Sequence, residues 1–153
     1  MIRPSEPRSP KRQSGVAAVE FAIALPVLLI MSIATAEIGR MLSQYDTLNK
    51  SVRDGARYLA SNALQAGVMT VTATEQQQTQ YLVVNGNING TGATLLPGLT
   101  TSNVTVSGST NGYVTVSASY TFQPIFASLP TFGYRAPISL AVPLNATVVM
   151  KAL

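Results

Sequence analysis

The apolar positions of this chain change period twice, and each change marks a boundary. Residues 1–14, "MIRPSEPRSPKRQS", carry no apolar period, three prolines and four cations, which predicts a leader that is disordered or extended in water. Residues 16–36, "VAAVEFAIALPVLLIMSIATA", are apolar on every side, with Glu20 as the only charge. As a helix they measure about 32 Å, the thickness of a bilayer's hydrocarbon core. Beyond them, "EIGRMLSQYDTLNKSVRDGARYLASNAL" keeps a stripe at Met41, Tyr45, Leu48, Val52, Ala56 and Leu59, stepping by three and four. That spacing predicts an amphipathic helix continuing out of the membrane, to about residue 64. Pro26 lacks a backbone N–H and should kink it, and Gly55 either permits a close approach or weakens the helix. Charges at helical spacing, Glu37 with Arg40, Lys50 with Asp54, and Asp54 with Arg57, are expected to decorate the solvent face.

Past residue 66 the helical period is lost. "TEQQQTQYLVV", 74–84, has the length of one short helix, and the Asn-Gly and Pro-Gly pairs of 85–98 predict a loop. Then the period becomes two. Val104 and Val106 alternate in one run; Val114, Val116, Ala118, Tyr120 and Phe122 alternate in the next; Asn111 and Gly112 join them as a hairpin. Ile138, Leu140, Val142, Leu144, Ala146, Val148 and Met150 share one parity, which predicts a third strand. Pro143 lies on the opposite parity and argues that this strand is at an edge or broken there. Three strands with one apolar face need a cover, and the helical stripe is the available one. The expected fold is α+β and pilin-like, a long N-terminal helix packed on a small antiparallel sheet. Its parts are a leader at 1–15, a transmembrane segment at 16–36, an amphipathic continuation at 37–66 and an exported β-rich head at 67–153.

Composition narrows the function. The chain has 153 residues and a formal charge of +4, but Arg3, Arg8, Lys11 and Arg12 all lie in the leader. From residue 16 onward six cations face five anions, so a nucleic-acid footprint is not supported. With no Cys and no His, the chain has no thiol nucleophile, no zinc-finger ligand set and no imidazole base. The remaining Asp, Glu, Ser and Thr show no nucleophile–base spacing, so no enzyme, metal or cofactor is expected. Between Tyr58 and Tyr134 the only charged residue is Glu75, within a stretch rich in Thr, Ser, Asn, Gln and Gly that suits an exported domain.

Glu20 then stands out, because a carboxylate in a membrane helix is costly. Three readings accommodate it. In a plain signal anchor, Glu20 lies close enough to the cytoplasmic end to reach the interface. In a secretory signal peptide, Ala34, Thr35 and Ala36 form the small-x-small cleavage site. In the third, Gly15 is the cleavage point after Arg12, Gln13 and Ser14, and Glu20 is the fifth residue of the mature chain.

The third arrangement resembles type IV prepilin signals, in which a short basic leader ends in Gly and the mature helix carries Glu at its fifth position. "GVAAVEFAIALPVLL", "EIGRML" and "SVRDGARYLA" further resemble TadE-like proteins, the pseudopilins or minor pilins of tight-adherence (Flp-type) pilus systems. The resemblance is strong over residues 15–60 and looser beyond. It implies cleavage by a prepilin peptidase between Gly15 and Val16. Implied partners are other pilin and pseudopilin subunits, the inner-membrane assembly platform and membrane lipid. Phe21 stands where the major pilin has Tyr, and about 90 residues follow the helix where the small major pilin has very little, so the implied role is a minor subunit.

In that setting Glu20 would pair with the new ammonium at Val16 of a neighbouring subunit and set axial register. The basic leader puts the N-terminus in the cytoplasm and the head across the inner membrane, in the periplasm or on an extracellular pilus. Glu37 and Arg40 are either an intrahelical pair or contacts between subunits. Residues 123–137, "QPIFASLPTFGYRAP", read either as a loop folded over the open end of the sheet or as an exposed apolar contact for another pilus component. The rival function is an unprocessed, membrane-anchored exported adhesin or ligand-binding domain.

Overall fold

The computed structural model describes residues 14–65, 68–109, 111–126, 128–129, 136 and 138–152. Residues 1–13 of the expected leader and the apolar residues Phe132 and Tyr134 lie outside them. The order of elements is α1 (Ser14–Asn62), β1 (Leu64–Gln65), β2 (Val68–Met69), α2 (Ala73–Asn85), a 3-10 turn (Thr101–Asn103), β3 (Val104–Ser109), β4 (Tyr113–Thr121), β5 (Ser128–Leu129), β6 (Ile138–Ser139) and β7 (Pro143–Lys151). This is the α+β arrangement expected, a long apolar N-terminal helix and a three-stranded antiparallel sheet of order β3-β4-β7. The chain divides into two compact units, Met1–Ala36 and Glu37–Leu153.

In the first unit α1 is helical on both sides of Pro26. The helix contains an 18-residue window of mean hydropathy 2.4, none of it buried, so it is long and apolar enough to cross a bilayer. Of the two hydroxyls near the end of the apolar run, on Ser32 and Thr35, that of Thr35 is satisfied within the helix, its Oγ1 donating to the Met31 carbonyl at 2.9 Å. That bond removes the cost of an unpaired donor in hydrocarbon.

In the second unit the core forms because all three strands bury the same parity. Register joins Val104 to Ala118, Val106 to Val116, Val114 to Met150 and Val116 to Val148, so even positions face even positions throughout. Leu48, Val52, Ala56 and Leu59 of α1 are fully buried in one cluster with Val114, Val116, Ala118 and Tyr120. The opposite face carries Thr105, Ser107, Thr115, Ser117 and Thr147, with Thr147 Oγ1 donating to Ser117 Oγ at 3.1 Å. Gly112 has φ +79°, the left-handed conformation that lets the β3–β4 hairpin turn.

Helix α2 is fixed at both ends. Thr72 Oγ1 accepts from the Glu75 N–H at 3.2 Å and the Glu75 carboxylate accepts from the Thr72 N–H at 2.8 Å, a capping box. Gly86 closes the other end at φ +74°. Against α1, the Tyr58 hydroxyl donates to Gln78 Oε1 at 2.7 Å. At Gly55 the two helices approach closely: a Cβ there would lie 2.7 Å from Val83 Cγ2. Of the two roles open to Gly55, the structure therefore shows close approach.

Three expectations need correction. Tyr45 is not in the buried stripe; it is 41% exposed, and Gln44 takes the inward position, accepting a hydrogen bond from the Tyr120 hydroxyl at 3.0 Å. A helix has 3.6 residues per turn, so a stripe drifts sideways, and here the side chain that finds a polar partner wins over the larger apolar one. Lys50 pairs with Asp46 at 2.6 Å and not with Asp54. Helical side chains lean toward the N-terminus, and an acid four residues before a Lys is the favoured orientation. The third strand is two strands: β6 pairs with β5 in a separate ribbon, whereas β7 begins at Pro143 on the edge of the main sheet, opposite Thr121. Proline has no N–H for a central ladder, which is why it opens an edge strand here.

Candidate functional site

Gly15 and Val16 lie in the first turn of α1, which begins at Ser14. The first four N–H groups of a helix have no intrahelical acceptor, so the Gly15–Val16 bond sits where the backbone is held least. Among the described residues, chain neighbours and the helix's own backbone aside, nothing lies within 4 Å of where a Cβ at Gly15 would stand, and Val16 is 74% exposed.

Glu20 is exposed and shares one face of the helix with Ile23, Ala24, Val27 and Leu28. These are positions i+3, i+4, i+7 and i+8 from it, the spacing of a helix-packing face. The carboxylate therefore sits at the end of an apolar strip. In hydrocarbon such a group needs a cation or donor that this face does not contain. The structure gives Glu20 and Val16 a common helix, one turn apart.

Glu37 and Arg40 form a different kind of site. Arg40 donates to Glu37 Oε2 at 2.9 Å, an i,i+3 pair within one helix. The pair is not solvent decoration. Glu37 is 4% exposed, and its other oxygen accepts the backbone N–H of Ile125, 88 positions away, at 3.1 Å. Arg40 places its guanidinium carbon 5.7 Å from the ring centroid of Phe122, a cation–π contact. The Phe122 N–H donates to the Val142 carbonyl at 2.9 Å, so the segments following β4 and preceding β7 are both tied down beside the helix. Around them Ile38, Met41, Leu140 and Val142 complete a small apolar cleft of about 80 Å³. Burial raises the Tyr120 phenol above its ordinary range, partly offset by a backbone hydrogen bond with Gln123 and by the charge of Arg40.

Sequence reasoning named Glu37 and Arg40 but missed Phe122, Ile125, Tyr120 and Gln44 as their companions. One signal was present: Glu37 is four residues before Met41, on the inward stripe, where a charge is inconsistent with a solvent face.

The N-terminal part of the chain, which carries Gly15, Val16, Glu20, Glu37 and Arg40, is similar to a known family. Residues 15–57 match the family model described as TadE-like protein, in agreement with the resemblance drawn from "GVAAVEFAIALPVLL", "EIGRML" and "SVRDGARYLA". The TadE-like match begins at Gly15 and takes in Val16, Glu20, Glu37 and Arg40. It ends before α2 and the sheet, so the head is outside it. Comparison with curated proteins and with solved structures returned no match.

Proposed function

We propose that the chain is a minor pilin or pseudopilin subunit of a tight-adherence (Flp-type) pilus, cut after Gly15 by a prepilin peptidase. One observation carries the reading: the TadE-like match opens at Gly15, and the exposed apolar helix that follows has Glu20, its fifth residue past that point, as its only charge before Glu37. The first-turn position of the bond supports access by a peptidase at the cytoplasmic face.

Cleavage leaves an ammonium at Val16. In a bundle of such helices, Glu20 of one subunit pairs with the ammonium of its neighbour; removing one member of a desolvated pair costs about 3–5 kcal/mol. The pair sets axial register, and an unpaired Glu20 favours leaving bulk lipid for the assembly. The head works outside the inner membrane as a contact surface without catalysis, and the partners are other pilins, pseudopilins and the assembly platform.

Mass spectrometry of the mature protein tests this. A chain beginning at Val16 is expected. An intact N-terminus would sink the pilin reading in favour of a membrane-anchored adhesin, and a start at Glu37 would establish a secretory signal peptide.

A further inference from the structure

Five apolar side chains in three segments of the second unit are turned to solvent: Ile38 at 51%, Ile125 at 70%, Phe126 at 48%, Ile138 at 58% and Val142 at 41% exposure. Exposed apolar residues are ordinary when scattered, but Ile38, Ile125 and Val142 stand beside one fixed point, Glu37, with Phe126 next in the chain to Ile125. The Glu37 carboxylate holds the Ile125 amide and the Phe122 amide holds the Val142 carbonyl, so both segments are tied beside residues 37–41. Glu37 is also the residue that directly follows the 21-residue apolar run.

We propose that this end of the head is a lipid-contacting foot, resting in the interfacial layer of the bilayer that residues 16–36 cross; the proposal rests on that membrane-spanning reading. Chain connectivity supplies the depth. At 1.5 Å per residue, Ile38 stands about 3 Å and Met41 about 8 Å past the end of the apolar run, within the roughly 5–8 Å headgroup layer on each side of a bilayer. A hydrogen bond from Ile125 to Glu37 keeps the loop at that level.

Charge agrees. Among the described residues of 37–41, 122–126 and 138–142, only Glu37 and Arg40 are charged, and they neutralise each other. Among its described residues the foot is therefore an apolar surface whose two charges are paired with each other, suited to the boundary of headgroups and acyl chains, where apolar faces sink by about 5–10 Å.

The chain contains no Trp, so single-Trp variants of the full-length protein report without background. The probes are Phe126→Trp in the foot, Val27→Trp in the apolar run and Tyr113→Trp at the far end of β4, about 26 Å along the strand from Thr121. Each is reconstituted into phosphatidylcholine–phosphatidylglycerol vesicles with bromine at shallow or deep acyl positions. Phe126→Trp should lose about half its emission to shallow bromine, as a residue seated in the interface does. Val27→Trp should respond to deep bromine and Tyr113→Trp to neither. Quenching of Val27→Trp but not of Phe126→Trp overturns the foot and leaves the spanning reading intact. If Phe126→Trp is instead shielded from aqueous iodide without bromine quenching, a second copy or another protein covers the surface, and the lipid proposal fails. An unquenched Val27→Trp removes both readings together.

Discussion

Glu37 shows how one carboxylate joins distant parts of the chain. Both of its oxygens are used, one by Arg40 and one by the Ile125 amide, so changes that remove one function and keep the other are informative. Glu37→Ala deletes both acceptors and is expected to cost about 1–3 kcal/mol, since a partly buried donor loses its partner. Hydrogen exchange of the detergent-solubilised chain should show the Ile125 amide exchanging faster in Glu37→Ala, while Glu37→Gln retains an oxygen for it and most of the protection. Equal protection in all three proteins would mean that the bond does not hold the loop.

Tyr120 supplies a pH test at the same scale. Its folded-state pKa is raised above 10.0, so its contribution to stability is fully present below pH 10 and is lost as the pH climbs through the higher folded value. Tyr120→Phe removes the hydroxyl that donates to Gln44, at an expected cost of about 1 kcal/mol near pH 8. That cost should shrink as the pH rises past 10, because the wild-type protein alone carries the penalty of ionising a buried phenol. Urea midpoints of the two proteins across this range give the comparison, and a constant gap would contradict the assignment.

At the scale of elements, the α1–α2 contact is decided by Gly55. An added methyl gains about 1 kcal/mol in helix propensity, yet it would press on the fully buried Val83. Overpacking of this kind costs about 1–3 kcal/mol, and the β-branched Val83 has little rotamer freedom in a helix with which to yield. Gly55→Ala should therefore be destabilising by about 1 kcal/mol, and Gly55→Ala with Val83→Ala should be less destabilised than the sum of the single changes. Additive effects would show that the helices simply separate.

The elements themselves were legible in the sequence wherever one face of a long run faced the core. The helical stripe at Leu48, Val52, Ala56 and Leu59 and the even parity of β3 and β4 are direct readings of burial. What was not legible depended on partners far away in the chain. Parity alone extends one strand from Ile138 to Met150, because nothing local says that Ile138 pairs with Leu129 and not with β4. Glu37 looked like a surface charge because its second acceptor contact, Ile125, is 88 residues away. The T-x-x-E pattern at Thr72 and Glu75 was a local signal for the start of α2, and it set the boundary within two residues of the expected one.

At the scale of the whole molecule, the proposed register joint has two halves on every subunit, the ammonium at Val16 and the carboxylate at Glu20. A subunit carrying Glu20→Gln keeps the shape and the ammonium but loses the charge, so it can be paired by a wild-type neighbour and cannot pair the next one. Two outcomes follow from that asymmetry. Expressed alone, Glu20→Gln should be cleaved after Gly15 yet enter pili or pilin complexes poorly, with a loss of about 10-fold or more, as expected for removing one member of a desolvated pair. Co-expressed with a tagged wild-type copy, it should recover part of its incorporation, because the joint is then complete on one side. Glu20→Asp, which keeps the charge on a shorter arm, should fall between wild type and Glu20→Gln. Quantitative mass spectrometry of purified assemblies measures all three. If Glu20 instead pairs with the ammonium of its own chain, one helical turn away, the wild-type partner supplies nothing that the variant lacks, and incorporation stays equally low with and without it.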